Sequence, residues 1–368
     1  MPPPRFHPLI RLAICAAGVV FTIGVVSIVI TLAIVTASLL NGLSYEEQAK
    51  SFVVNQPALL LLLPYPSILL WLWFCRRAMD HRSFISLGLR PRHAPRDFVA
   101  GLLGGAAAVS FLFGCLWLTG HVTIAPWSPE AFEAGPTLAM GLLFLWAFTF
   151  LIVGFMEETM FRGYGFHNLV AWLGIPGAVI VQAVIFALIH VGNVLTETVK
   201  ATTGAPALLI NWSSFWNAAW GIRWGLVNIA LIGVFFALCY LKTGSLWFPI
   251  GFHAAWNFFL GCVFSLPVSG INVFRLLEVQ TSANVPITGG SFGAEGSVLL
   301  VAMNAAMIYL LWRYPDHPQA RLDLALLNPQ LAGALLPALA VDQHTAEEVI
   351  EEPWTARLRA SMRRREVD

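Results

Sequence analysis

"LAMGLLFLWAFTFLIV" (138–153) runs into "GFMEETMFRGYG" (154–165). Sixteen residues carry no ionisable group, and then Glu157, Glu158 and Arg162 arrive together. A run of this kind approaches the roughly 20 apolar residues that a helix needs to cross a bilayer. The whole chain repeats the theme: 368 residues, 58% hydrophobic and only 11% charged. Soluble domains of this size are about 25% charged and roughly 45–50% apolar. The surplus of apolar residues implies several spans. A net charge of +1, with no basic aromatic stripe, excludes a nucleic-acid partner. Cys15, Cys75, Cys115, Cys239 and Cys262 share no metal-site spacing, so they read as apolar packing residues rather than a zinc knuckle or a disulfide framework.

Apolar run length predicts eight spans, at roughly 12–40, 53–75 and 98–118, from near 137, from near 176, and at roughly 225–242, 246–266 and 296–312. The first follows "MPPPRFHPLIR" without a small-residue cleavage site and is expected to anchor rather than to be removed. Pro57, Pro64 and Pro66 predict kinks in the second, and "LGIPG" (173–177) predicts a turn between the fourth and fifth. No internal repeat is evident. The fold class expected is all-α: a polytopic membrane protein of about eight transmembrane helices.

Positive residues are retained on the cytoplasmic side. Arg76, Arg77, Arg82, Arg90, Arg92 and Arg96 outnumber Asp80 and Asp97 over 76–97, while 119–136 carries Glu130 and Glu133 and no Lys or Arg. The first loop is therefore expected inside and the second outside. With eight spans both termini then lie in the cytoplasm, as the arginines Arg5, Arg11 and "RLRASMRRR" also suggest. A cell inner membrane is the expected location. Residues 194–224 contain Trp212, Trp216, Trp220 and Trp224 at a spacing of four, which suits a helix in the membrane interface. The tail from 315 reads as a peripheral helix with a partly disordered end. The units expected are 1–97, a two-helix segment with its basic loop; 98–266, the core with the Trp-rich connection inserted; 267–314, the last span; and 315–368, a cytoplasmic tail.

Ionisable side chains inside spans are costly and therefore functional candidates. They are few here: Glu157, Glu158, Arg162, His190 and His253, with Asn257 one turn beyond His253. On a helix Glu158 and Arg162, four apart, share a face and can pair. Glu157 lies ~100° away and stays without that partner. If the chain turns near 175, Glu158 and His190 lie at similar depth, so His190 can face the carboxylates across a hairpin with Phe186 packed beneath it. His253 and Asn257 share a face and suit a developing oxyanion. His253, only about eight residues past the turn between spans six and seven, would however sit nearer the cytoplasm than His190 in a simple hairpin. Either the turns end at different heights or a span is broken.

The set Glu157-Glu158-x-x-x-Arg162, Phe186-x-x-x-His190 and His253-x-x-x-Asn257, in order on separate spans, resembles the CPBP family, also called the ABI or CAAX-protease and bacteriocin-processing family. "GLRPR" (88–92) resembles the stretch before that family's core. The resemblance covers roughly 98–265 and implies a CAAX-protease-like helical core. It implies an intramembrane endopeptidase acting on a protein or peptide substrate, membrane-associated, with CAAX-type and leader-peptide processing as the two candidate tasks. By resemblance Glu157 with His190 activates a water, His253 with Asn257 stabilises the oxyanion, and Glu158 with Arg162 orients the site. Metal-free catalysis is favoured; if a metal such as Zn²⁺ binds, Glu157, His190 and His253 are its expected ligands. HExxH and GxGD are both absent from the sequence, which counts against other intramembrane protease classes. The alternatives are a proton- or cation-coupled transporter using the same Glu and His residues, or an inactive immunity or scaffold protein that keeps the fold.

Overall fold

A computed structural model describes residues 4–45, 47–48, 58, 62–91, 94–125, 127–203 and 220–315, with 194–203 as backbone only. Trp212 and Trp216, most of the expected second span before Leu62, and the expected tail helix lie outside the described residues.

Helix α1 (Pro8–Asn41) starts on a proline, whose missing N–H costs nothing there, and ends on Gly42 in the left-handed region at φ 66°. Helix α2 (Tyr65–Ala78) follows, then α3 (Ala94–Leu118). Helix α4 (Pro129–Glu158) is capped by Ser128, whose hydroxyl accepts from the Ala131 N–H at 3.0 Å. It passes into a π-helical stretch, Thr159–Gly165, and then into α5 (Phe166–Thr203). Helix α6 (Arg223–Thr243) turns at Gly244 into α7 (Trp247–Phe258), which is again extended by a π-helical stretch, Phe259–Val263. A short α8 (Val285–Thr288) precedes α9 (Val298–Trp312).

The all-α, membrane-embedded class is what the structure shows, with one small addition. Strand β1 (Val122–Ala125) pairs antiparallel with β2 (Glu278–Thr281), Val122 opposite Thr281 and Ala125 opposite Glu278. Among the described residues four runs are long and apolar enough to cross a membrane: Pro8–Asn41, Ala94–Leu118, Pro129–Asn193 and Arg223–Thr243. The third has 65 residues, about 98 Å if straight, against a hydrocarbon layer of about 30 Å. It is not straight. Gly135 (φ 71°) and Gly174 (φ 71°) break the helix, and each is followed within two residues by a proline that cannot donate to the preceding turn. The break at Gly174 falls within "LGIPG", where the sequence predicts the turn between the fourth and fifth spans, and the break at Gly135 just precedes the expected start of the fourth span near 137.

Helices α3 and α7 pack almost backbone to backbone. A Cβ on Gly101 would lie 2.2 Å from the Phe248 carbonyl oxygen, one on Gly105 2.3 Å from that of Phe252, and one on Gly251 2.3 Å from that of Phe98. Small residues let helices approach this closely in lipid, where packing rather than the hydrophobic effect drives association. The contact matters for function because α7 carries His253 and Asn257. Phe150, Trp146, Phe252, Trp256 and Leu260 fill the core between α4, α7 and their neighbours.

The basic loop is only partly a solvated loop. Arg76, Asp80 and Arg11 are 1%, 2% and 4% exposed. Asp80 accepts from Arg11 at 2.6 Å and from Arg76 at 2.9 Å. Arg76 also reaches Ser86 at 2.8 Å and His167 at 3.3 Å, and His167 meets the Tyr240 hydroxyl at 2.8 Å. Burial of these charges follows from partner count: an isolated one would be too costly to bury, and each here has an opposite charge or an acceptor. They clasp α1, α2, α5 and α6 at one end of the bundle.

Candidate active site

Glu158 and Arg162 pair as their spacing predicts. Arg162 Nη1 donates to Glu158 Oε1 at 3.0 Å, with both side chains wholly buried. The pair lies at the junction where α4 becomes π-helical, a wide-turn geometry frequent at functional sites. The same transition follows His253 and Asn257 in α7. The guanidinium lies over Phe186, 4.0 Å from the ring centroid, and 5.3 Å from that of Phe236. Gly233 makes the room: a Cβ there would stand 3.1 Å from Arg162 Nη2. Phe186 thus supports two members of the constellation, since its ring also meets that of His190 edge-on at 4.8 Å.

His190 Nδ1 lies 2.7 Å from the Phe186 carbonyl oxygen. A carbonyl can only accept, so Nδ1 carries the hydrogen and the neutral ring keeps its lone pair on Nε2. His253 Nδ1 lies 3.0 Å from Glu158 Oε1, and the same reasoning places its hydrogen there. Its Nε2 then stands 3.8 Å from Glu157 Oε2, too long for a hydrogen bond. Glu157 Oε2 is buried and makes no hydrogen bond. The pattern of one paired and one unpaired glutamate therefore appears as expected. The imidazole nearest the unpaired carboxylate, however, is that of His253; His190 lines the same cavity. His253 rather than His190 also touches Glu158.

A cavity of about 140 Å³ brings Glu157, His190, His253 and Asn257 to one space. The two turns differ in how they are packed. Leu246, just after the α6–α7 turn, is wholly buried and its N–H donates to the Gly88 carbonyl at 2.8 Å. Leu173, at the other turn, is 38% exposed. His253 and His190 line the same cavity despite their unequal distances from these turns. Gly88 begins the "GLRPR" stretch, which thereby docks the helix carrying the histidine.

The other wall of the cavity comes from residues that ionisable-group counting passes over. Asn228 on α6, Asn304 on α9, and Ser269 and Glu295 from the connection between α7 and α9 all line it. Glu295 accepts three hydrogen bonds: Oε1 from Trp256 Nε1 at 3.0 Å, and Oε2 from the Ser269 N–H at 2.5 Å and its hydroxyl at 3.0 Å. Ser269 itself is left-handed at φ 48°. The signal for the asparagines was available, since uncharged amides in apolar helices are also expensive in lipid. Nothing in the sequence marks Glu295.

Of the four Trp-rich positions, Trp220 and Trp224 are described. The Arg223 guanidinium lies 4.8 Å and 5.9 Å from their rings, and Trp220 is 70% exposed. Among the described residues no three His, Cys, Asp or Glu side chains stand close enough together to hold a metal ion. Glu157, His190 and His253 share the cavity without forming such a group.

Residues 138–259 match the family model for type II CAAX prenyl endopeptidases, Rce1-like. No curated protein and no solved structure matches the chain. The matched segment spans α4 to α7 and includes all six residues of the constellation, from Glu157 to Asn257. This chain therefore carries an Rce1-like domain of the CPBP family, a family of intramembrane CAAX endopeptidases, across residues 138–259.

Proposed function

We propose that the protein hydrolyses a peptide bond of a membrane-associated protein or peptide with a water activated by Glu157, without a metal and without a covalent intermediate. The observation that carries this reading is the Glu157 carboxylate, which lines a cavity shared with two imidazoles and an amide and has an oxygen, Oε2, that makes no hydrogen bond. Such an oxygen is available to take a proton.

In this reading a water is held by Glu157 and by the lone pair on His190 Nε2. Glu157 takes one proton as the water oxygen bonds to the scissile carbonyl carbon. The carbonyl oxygen becomes an oxyanion and accepts from Asn257 Nδ2, and from His253 Nε2 when that ring carries its second proton. The C–N bond then breaks, and Glu157 returns the proton to the leaving amine. Glu158 does not react: tied to Arg162, it holds His253 by Nδ1. Donors aimed at a forming oxyanion inside a water-poor site contribute about 3–4 kcal/mol each. Both of the processing tasks that the family suggests, CAAX-type and leader-peptide removal, fit this chemistry.

The test is cleavage of quenched-fluorescent membrane-anchored peptides by the purified full-length protein in liposomes. Cleavage that survives a zinc chelator, and falls about 100-fold or more in Asn257→Ala, is expected. Loss of cleavage with chelator, restored by Zn²⁺, would overturn the metal-free mechanism. No cleavage of any peptide, together with proton flux across the liposome, would favour the transporter.

We place the protein in a cell inner membrane with both termini in the cytoplasm, on the arginine excess of residues 76–97. A phosphatase that works only outside the cytoplasm, fused to either end, would then stay inactive; activity at one end would reverse that end.

A further inference from the structure

The cavity has two chemically different walls. Glu157, His190, His253 and Asn257 form one; Asn228 and Asn304 lie on the other, beside Leu300 and Ile232. The direction of the two amides can be worked out from their partners. Asn228 Nδ2 donates to the carbonyls of Glu295 and Ser297, both at 2.8 Å. Its Oδ1 must therefore be the atom that meets Asn304, and it accepts from Asn304 Nδ2 at 3.2 Å. That bond in turn fixes the second amide: nitrogen toward Asn228, oxygen away from it. Asn304 Oδ1 is buried with no hydrogen-bond partner, in a residue only 1% exposed.

An unsatisfied buried carbonyl destabilises the protein that holds it. The cost is difficult to account for in packing terms, since Asn304 stands on an otherwise apolar helix, one turn beyond Leu300. It is accounted for if a ligand supplies the donor. The charge of that donor follows from its surroundings. The neighbouring carboxylate, Glu295, already accepts three hydrogen bonds, and Leu300, Ile229 and Ile232 supply no polar atom to a side chain held there. A cation in this cavity would be drawn to the carboxylates of Glu157 and Glu295 rather than to the uncharged Asn304 oxygen.

We propose that this wall is a specificity subsite for a neutral hydrogen-bond-donating side chain, that of Ser, Thr, Asn or Gln, in a residue next to the scissile bond, with Asn304 Oδ1 as its acceptor. The proposal rests on the peptidase reading above. Because one cavity encloses both walls, a side chain held by Asn304 belongs to a residue close to the bond presented to Glu157.

The experiment uses the full-length protein in liposomes with peptide pairs differing at one flanking position, Thr against its apolar isostere Val, and Asn against Leu; a Lys peptide completes each set. Wild type is expected to favour the donor peptide at one position by about 10–100-fold in kcat/KM, the worth of one buried hydrogen bond. Asn304→Leu is expected to abolish that preference, bringing the Thr-to-Val ratio of kcat/KM to about 1. Equal cleavage of Thr and Val peptides at every flanking position by wild type would overturn the subsite, as would equal loss on both peptides in Asn304→Leu. Preference for Lys would overturn the neutral class. The wild-type preference decides the matter if Asn304→Leu does not fold. If wild type cleaves no peptide the peptidase reading fails. The subsite is then judged by displacement of a fluorescent peptide, where tighter binding of Thr than Val supports it and equal binding overturns it.

Discussion

Glu157→Gln is expected to lower kcat for peptide cleavage by at least about 1000-fold while leaving the fold in place. The substitution keeps the shape of the side chain and removes only the ability to take a proton. It disturbs little structure, because Oε2 makes no hydrogen bond and the side chain is 17% exposed to the cavity. Thermal melting in detergent should stay within about 2 °C of wild type, corresponding to less than about 1 kcal/mol. Retention of more than a tenth of wild-type kcat would remove Glu157 from the chemistry. The adjacent Glu158→Gln should behave in the opposite sense, with a lower melting temperature, because a wholly buried guanidinium would lose its counter-charge.

Arg162→Met carries the largest structural effect. It leaves the Glu158 carboxylate in a fully buried position without its counter-charge, and breaking a buried pair from one side costs about 3–5 kcal/mol. Loss of the guanidinium from the face of Phe186, at 4.0 Å, adds up to about 2 kcal/mol. At roughly 2–4 °C per kcal/mol, melting should fall by about 10 °C or more, and activity with it. The double variant Glu158→Leu/Arg162→Met separates the two losses. An apolar replacement of both partners is often neutral, so melting should recover. Activity should not, since His253 Nδ1 then has no acceptor at 3.0 Å. A double variant that melts as low as the single one would show that the pair is not what the buried charge depends on. A double variant that recovers activity would remove Glu158 from the positioning of His253.

Much of the site is local in sequence, which is why it is legible there. Glu158 with Arg162, Phe186 with His190, and His253 with Asn257 are each four apart on one helix, where the 3.6-residue repeat alone brings them to one face. The kinks at Gly135 and Gly174 are likewise local, set by a glycine and a proline close behind it. The contact between His253 and Glu158 spans 95 positions, and no periodicity predicts it. The same holds for Asp80, which reads as a loop charge beside five arginines in "CRRAMDHRSFISLGLRPR" (75–92) and is in fact buried between Arg11 and Arg76. Burial of a charge depends on partners from other elements, and these come only with packing.

By itself the sequence determined the membrane class, the helix breaks and three motifs with their faces. These follow from apolar run length, from backbone stereochemistry and from helical repeat, all of which act over a few residues. Only the tertiary structure decided which imidazole touches which carboxylate. Glycines 101, 105 and 251 let α7 lie against α3, and the bond from the Leu246 N–H to the Gly88 carbonyl docks its start. Together they deliver His253, rather than His190, to Glu158. Tertiary structure also decided the second wall of the cavity, because Asn228, Asn304 and Glu295 come from segments that no short-range rule places beside Glu157.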